Sequence, residues 1–193
     1  MTRLNLSTKP LGKIIQVTGA ARSGKSEWAE YLASQSGKLD IVYVATAMMN
    51  PEDSEWQERI RNHQQRRPAN WQTIAEPKNL VDVIASRERE LCYLVDSLGS
   101  WVANLLELDN NCWQAEQTKL INEIEATKAQ VIFVGEETGW GVIPAYASGR
   151  LFRDRLGELL RSVGEIADNN YLVTGGYAID LCLLGTSLKI VKQ

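Results

Sequence analysis

The stretch Gly19-Ala20-Ala21-Arg22-Ser23-Gly24-Lys25-Ser26 constrains this chain more than any other. It has the form glycine, four residues, Gly-Lys-Ser, which is a phosphate-binding P-loop when it follows a strand and opens a helix. Both flanks qualify. Ile14-Ile15-Gln16-Val17-Thr18 is a short β-branched run, and over residues 26–33 Trp28, Ala29 and Leu32 recur at helical spacing. In such a loop backbone N–H groups wrap phosphate oxygens, the Lys25 ammonium neutralises β/γ charge and the Ser26 hydroxyl ligates Mg²⁺. The alternative, a Gly-rich turn arisen by chance, is at odds with that strand-to-helix context.

The same alternation continues along the chain. Strands are predicted at 41–45, 71–75, 91–95 and 131–134, with 171–174 the last. Helices are predicted at about 51–65, 80–87, 98–106, 113–128 and 151–167. Apolar strands alternating with helices imply an α/β, P-loop NTPase-like fold. Its central sheet is mainly parallel, with helices on both faces and ligands at the carboxyl ends of the strands. At 193 residues, with 44% hydrophobic and 23% charged side chains, the chain is sized for one packed domain. No repeat or linker divides it, so residues 1–193 are read as a single nucleotide-binding domain with a polar leader at 1–12.

Charge narrows the partners. A net charge of −3 supplies no global cationic field, so neither nucleic acid nor an anionic membrane is an expected partner. No run of 18 apolar residues is present, so no membrane span is expected, and residues 1–16 lack the pattern of an export signal. Cys92, Cys112 and Cys182 are odd in number and lack metal-ligand spacing, which fits a reducing cytoplasm.

Asp96 ends an apolar strand, where a P-loop protein places the carboxylate that supports Mg²⁺ directly or through water. It also suits the N-cap of the helix that follows, and both roles are compatible. His63 is the only histidine and stands among Arg59, Arg61, Arg66 and Arg67. A lone surface histidine is commonly inert, and such arginines are either a solvated face or a bidentate phosphate clamp. The stretch 135–144 follows a strand and carries Glu136, Glu137, Gly139 and Gly141, which suits a substrate-facing loop as well as a plain surface connection. The six tryptophans are scattered rather than interleaved with basic residues, so they read as core and surface fillers.

Taken together, these residues resemble the bifunctional adenosylcobinamide kinase/adenosylcobinamide-phosphate guanylyltransferase family of cobalamin biosynthesis. The likeness runs in order from about Ile14 to Gly175. It includes Val17 to Ser26, Tyr43-Val44-Ala45-Thr46-Ala47, Arg59-Ile60 followed by His63, and Arg67-Pro68. It continues through Trp71-Gln72-Thr73 with Glu76-Pro77, Val95-Asp96-Ser97-Leu98 with Trp101 and Asn104-Leu105-Leu106, and Phe152-Arg153-Asp154 with Gly157. The P-loop is shared by many enzymes, whereas its combination with the histidine and Glu-Pro stretches is specific.

The resemblance implies that His63 becomes guanylylated. It assigns guanine-nucleotide contacts to Gly19, Ala20, Ala21, Arg22, Ser23, Gly24, Lys25 and Ser26, to Ala45, Thr46 and Ala47, to Gln64, Gln65, Arg66 and Arg67, and to Glu76 and Asp96. Lys25 and His63 are the expected catalytic residues, Ser26 and Asp96 the Mg²⁺ residues, and Glu137, Gly139 and Gly141 a substrate loop. ATP and GTP are the implied nucleotide substrates, a corrinoid the implied small-molecule substrate, and a homo-oligomer, expected as a trimer, the implied assembly. The chain departs from the family's usual Asn-Glu-Val-Gly at Glu136-Glu137-Thr138-Gly139, and from its Asn-Gln pair at Leu160-Arg161. The competing readings are a single-activity P-loop small-molecule kinase and a GTP-binding regulatory module without turnover. Of Glu136 and Glu137, Glu137 keeps the family's position and is expected to act near the transferred phosphate or its metal, with Glu136 dispensable.

Overall fold

The computed structural model describes residues 13–48, 52, 58, 61, 67–85 and 90–188. Its strands are β1 (Ile14–Gly19), β2 (Asp40–Ala45), β3 (Gln72–Ala75), β4 (Leu91–Asp96), β5 (Gln130–Glu136), β6 (Asn169–Thr174) and β7 (Tyr177–Asp180). Its helices are α1 (Lys25–Ser34), α2 (Leu80–Ile84), α3 (Leu98–Asn104), α4 (Asn110–Ala126), α5 (Ala147–Ile166) and α6 (Leu181–Leu184). The helix expected at 51–65 and the leader at 1–12 fall almost wholly outside the described residues.

The strands form one seven-stranded sheet in the order β3-β2-β4-β5-β1-β6-β7. Every neighbouring pair is parallel except β6 and β7. Side chains alternate across a strand, so each central strand feeds two cores. Ile14, Tyr93, Val95, Val131 and Phe133 pack with α2, α3, α4 and α5 on one face. Ile15, Val17, Cys92, Leu94, Ile132 and Val134 pack with Ala29, Leu32 and Ala33 of α1 on the other. Helices therefore cover both faces, as the alternation of strands and helices predicts.

Helix α5 runs 20 residues and buries Leu156, Leu159, Leu160 and Val163 along one stripe. It also buries Arg155, whose guanidinium donates to the carbonyls of Leu105, Leu106 and Leu108. Those acceptors close the turn after α3, which otherwise leaves its last carbonyls without helical partners. Trp101 and Trp113 are fully buried with ring centroids 5.7 Å apart, so these two are core fillers.

Several boundaries differ from the sequence reading. Helix α4 begins at Asn110 rather than 113, because Asp109 caps it by accepting from the Cys112 N–H at 2.8 Å. Helix α5 begins at Ala147 rather than 151, and α3 ends at Asn104 rather than 106. Strand β6 is not the last strand. Gly175 and Gly176, both with positive φ (57° and 80°), return the chain as the antiparallel edge strand β7.

The parallel strands bring their carboxyl ends to one edge. Gly19 of β1 lies beside Glu136 of β5, and Ala45 of β2 lies beside both Asp96 of β4 and Ala75 of β3. An open α/β sheet binds ligands at this edge.

Candidate functional site

The phosphate loop leaves the sheet at Gly19. A Cβ there would come within 2.5 Å of both Ser23 Oγ and the Val173 carbonyl, so only glycine fits. The chain then turns through left-handed conformations at Arg22 (φ 59°) and Gly24 (φ 92°) and enters α1 at Lys25. Lys25 is 6% exposed, and its Nζ donates to the Ala20 carbonyl of its own loop at 3.4 Å. Ser23 Oγ is buried with no hydrogen-bond partner among the described residues. A buried hydroxyl needs a partner, and an anion's oxygen in the cradle would supply one.

Asp96 is held from the side. The Tyr43 hydroxyl donates to Asp96 Oδ2 at 2.8 Å, and the Arg67 guanidinium lies over the Tyr43 ring, 3.3 Å from its centroid. Burial, with the Asp96 carboxylate beside it, pushes the Tyr43 hydroxyl far up, so it stays a proton donor. The alternative role of Asp96 as a helix cap is taken by its neighbour. Ser97 Oγ accepts from the Ser100 N–H at 3.2 Å and caps α3.

Thr46 ties this wall together. Its hydroxyl donates to the Ser97 carbonyl at 2.6 Å and accepts from the Ser97 N–H at 2.8 Å. Asn104 Nδ2 donates to the carbonyls of Thr46 and Pro77 at 2.7 and 2.8 Å. Thr46 is fully buried, so its hydroxyl builds the wall of the site. Ala45 and Ala47 flank it at the same strand end. Glu76 accepts from the Lys78 and Asn79 N–H groups through Oε1, at 3.0 and 2.8 Å, and its N–H donates to the Ala45 carbonyl. Hydrogen bonds from the Asn79 and Lys78 backbone hold its carboxyl below the usual range.

Glu136 lies inside the site. Its carboxylate is turned inward against Gly99, where an added Cβ would collide with it, and its Oε2 is buried without a hydrogen-bond partner. Burial raises its carboxyl above the ordinary range, opposed by a hydrogen bond with the Ser97 side chain and by the Lys25 charge, and reinforced by Asp96. Lys25, Asp96 and Glu136 therefore share one electrostatic site. A folded-state pKa above the unfolded one contributes stability at pH below the ordinary glutamate value of about 4.3. That contribution is lost as pH rises through the folded value. Glu136→Gln, which keeps the shape and removes the charge, is expected to gain stability over wild type as pH rises from 4 to 8. Denaturant unfolding at both pH values checks this, and a pH-independent difference would refute it.

Beyond Glu136 the Glu137 N–H donates to the Gly19 carbonyl at 3.0 Å, which fixes the start of the following loop to the phosphate loop. Gly139 and Gly141 are exposed, and a Cβ at either would meet open space. Further on, Arg150 Nη1 donates to the Pro144 and Ala145 carbonyls at 3.0 and 2.7 Å. Leu160, at one of the departures from the family pattern, packs against Gly135, the residue before Glu136. Arg161 pairs with Glu165 on the surface at 3.2 Å.

The structure thus brings together Gly19 to Ser26, Ala45 to Ala47, Arg67, Glu76, Asp96 and the start of the loop at Glu137. His63, Gln64, Gln65 and Arg66 lie outside the described residues. Sequence reasoning missed Tyr43, Ser97 and Gly99 as site builders, although Tyr43 and Ser97 stand inside the quoted motifs.

Among the described residues no group of three or more His, Cys, Asp or Glu is placed to hold a metal ion alone. The donors at hand are the half-buried Ser26 in the first turn of α1 and the Asp96 carboxylate. One hydroxyl and one carboxylate suit a hard, hydrated divalent ion that arrives on nucleotide phosphates. Among the described residues no helix is long and apolar enough to cross a membrane.

Residues 15–181 match the family model described as cobinamide kinase / cobinamide phosphate guanyltransferase. The bifunctional adenosylcobalamin biosynthesis protein CobP of Pseudomonas aeruginosa is 36% identical over 167 residues, covering 86% of this chain and 95% of that protein. The bifunctional adenosylcobalamin biosynthesis protein CobU of Escherichia coli K12 is 31% identical over 183 residues, covering 87% and 99%. A solved ATPase from the type III secretion system of pathogenic bacteria superposes with a TM-score of 0.53 at 10% identity, covering 94% of this chain and 61% of that one. That likeness is one of fold.

Proposed function

Because this chain belongs to the cobinamide kinase / cobinamide phosphate guanyltransferase family, we propose that it carries out both reactions at the carboxyl edge of its sheet. It phosphorylates adenosylcobinamide and then transfers GMP from GTP to adenosylcobinamide phosphate through a guanylylated His63. The observation that carries this reading is that the phosphate loop with Lys25, Glu136 and Asp96 stand at the carboxyl ends of the adjacent strands β1, β5 and β4, with Arg67 joined to Asp96 through Tyr43.

In the kinase step the P-loop backbone and Lys25 hold the β- and γ-phosphates of ATP. The substrate hydroxyl oxygen bonds to the γ-phosphorus as the β–γ bridge breaks, ADP leaves and the hydroxyl proton is released. Positioning and charge neutralisation supply most of the acceleration. In the second reaction neutral His63 attacks the α-phosphorus of GTP, a P–N bond forms, and the bond to the β-phosphate oxygen breaks to release pyrophosphate. A phosphate oxygen of adenosylcobinamide phosphate then attacks the same phosphorus, breaking the P–N bond and giving adenosylcobinamide-GDP. Covalent catalysis divides one difficult displacement into two. Mg²⁺, held at Ser26 and Asp96, would supply charge neutralisation to the triphosphate. Arg67 meets phosphate from the other side, and Glu137 acts near the transferred phosphate or its metal.

Residues 1–193 act as one domain, and the compartment is the cytoplasm, where the free thiols of the exposed Cys112 and Cys182 remain reduced. A homo-oligomer, expected as a trimer, fits the exposed apolar side chains Trp140, Val142, Ile143, Tyr177, Leu183 and Leu184.

Turnover with labelled GTP and adenosylcobinamide phosphate, and separately with ATP and adenosylcobinamide, tests the proposal. Formation of adenosylcobinamide-GDP is the expected result. Phosphorylation alone would favour a simple kinase, and tight GTP binding without turnover a regulatory module.

A further inference from the structure

Neither the motif chemistry nor the reaction steps use Tyr43, yet it is the side chain that joins Asp96 to Arg67. It sits on β2, 3% exposed, two residues before Ala45, the register partner of Asp96. From there its hydroxyl reaches Asp96 Oδ2 at 2.8 Å. Its ring carries the Arg67 guanidinium at 3.3 Å from the centroid, and Arg67 Nε is buried with no hydrogen-bond partner among the described residues. Each contact removes a freedom that matters. A carboxylate can rotate, and a fixed donor on one oxygen sets the direction of the other. An arginine has many rotamers, and stacking on an aromatic face selects among them at little cost in charge exposure.

We propose that Tyr43 is a positioning residue for nucleotide use: its hydroxyl aims the Asp96 carboxylate and its ring places Arg67, so one buried side chain sets the spacing between the metal-supporting carboxylate and the phosphate-facing cation. The proposal rests on the roles given above to Asp96 and Arg67. It adds a residue that touches neither nucleotide nor acceptor and acts through two that do. It also makes the two contacts separable, because Phe retains the ring without the hydroxyl and Leu retains neither.

The test is calorimetric binding of a non-hydrolysable GTP analogue to the full chain, at a series of Mg²⁺ concentrations and in EDTA. Wild type, Tyr43→Phe, Tyr43→Leu and Arg67→Met are compared, with thermal unfolding recorded for each. Tyr43→Phe is expected to bind in EDTA within about twofold of wild type while its half-saturating Mg²⁺ concentration rises about tenfold, the scale of losing a hydrogen bond to a charged group. Tyr43→Leu is expected to show the same Mg²⁺ shift and also to lose about five- to tenfold in metal-free affinity, because Arg67 is released. Arg67→Met is expected to reproduce only that second loss.

Three results would overturn the proposal. They are a Tyr43→Phe titration that superimposes on wild type, an equal metal-free loss in the Phe and Leu variants, or an Arg67→Met variant that binds like wild type in EDTA. If Tyr43→Leu fails to unfold cooperatively, the Phe and Met variants decide the two arms without it. Binding requires no turnover, so these outcomes are independent of whether His63 is guanylylated. Wild-type binding that ignores Mg²⁺ would overturn the metal role of Asp96 together with this proposal.

Discussion

With Lys25 replaced by alanine, both phosphoryl transfer and GMP transfer are expected to fall about 10²-fold or more, the scale of removing a charge stabiliser from a transition state. The lysine is 6% exposed, in the first turn of the helix that the phosphate loop opens, and its ammonium donates only weakly, at 3.4 Å, to a carbonyl of that loop. A cation so placed exchanges a weak contact for triphosphate oxygens without leaving its position, so little reorganisation opposes its action. Alanine leaves the loop backbone in place, with Gly19 and Gly24 still setting its turns, so the phosphates keep their N–H donors and lose their charge partner. The effect is therefore on rate as well as affinity. Glu136 sharpens it: without the Lys25 charge, one of the influences that hold its carboxyl down disappears. Steady-state rates of both half-reactions on the same preparation, with a thermal melt to establish folding, measure this. Near-wild-type rates in both would show the motif to be decorative.

The part of this site that was legible in the sequence is the part whose chemistry is local. A glycine at the end of a strand, a glycine forced to positive φ and a lysine in the first helical turn are written in consecutive residues, and the structure places Gly19, Gly24 and Lys25 accordingly. Asp96 was legible because an apolar run ends on it. Strand order was not legible. Alternation of strands and helices implies parallel pairing, but the insertion of β5 between β1 and β4 depends on which faces pack, a property distributed over the two cores. Glu136 and Glu137 show the same limit at single-residue scale. Adjacent residues at a strand end face opposite sides, so choosing between two carboxylates needs the register, and Glu136 is the one turned toward Gly99. Tyr43 escaped notice because an aromatic in a β-branched strand reads as core. It is core, and it holds Asp96 as well. Strand β7 had a signal, Gly175-Gly176 before an apolar run, which is the two-residue hairpin pattern.

Incubation with GTP and Mg²⁺ alone is expected to leave one GMP on His63, and His63→Asn is expected to abolish both the adduct and guanylyl transfer. His63 lies outside the described residues. It is the only histidine in the chain, it follows Arg59-Ile60, and Arg61, Arg66 and Arg67 flank it with charge that can hold phosphates while pyrophosphate departs. Arg67, the last arginine of that segment, is stacked on Tyr43 beside Asp96, so the segment ends at the nucleotide edge of the sheet. An imidazole with an ordinary pKa of about 6.5 is mostly neutral at pH 8, and the neutral form is the nucleophile. The adduct's bond identifies its origin. A phosphorus–nitrogen bond is labile in acid and stable in alkali, whereas an ester to Ser26 is not cleaved by mild acid. Intact-mass measurement before and after acid treatment separates the two. Because γ-phosphate chemistry belongs to the P-loop and Lys25, the Asn variant is expected to keep phosphoryl transfer from ATP while losing GMP transfer, a split that general unfolding would not give. An adduct that persists in the Asn variant, or a wild-type protein that turns over without ever being labelled, would remove His63 from the mechanism.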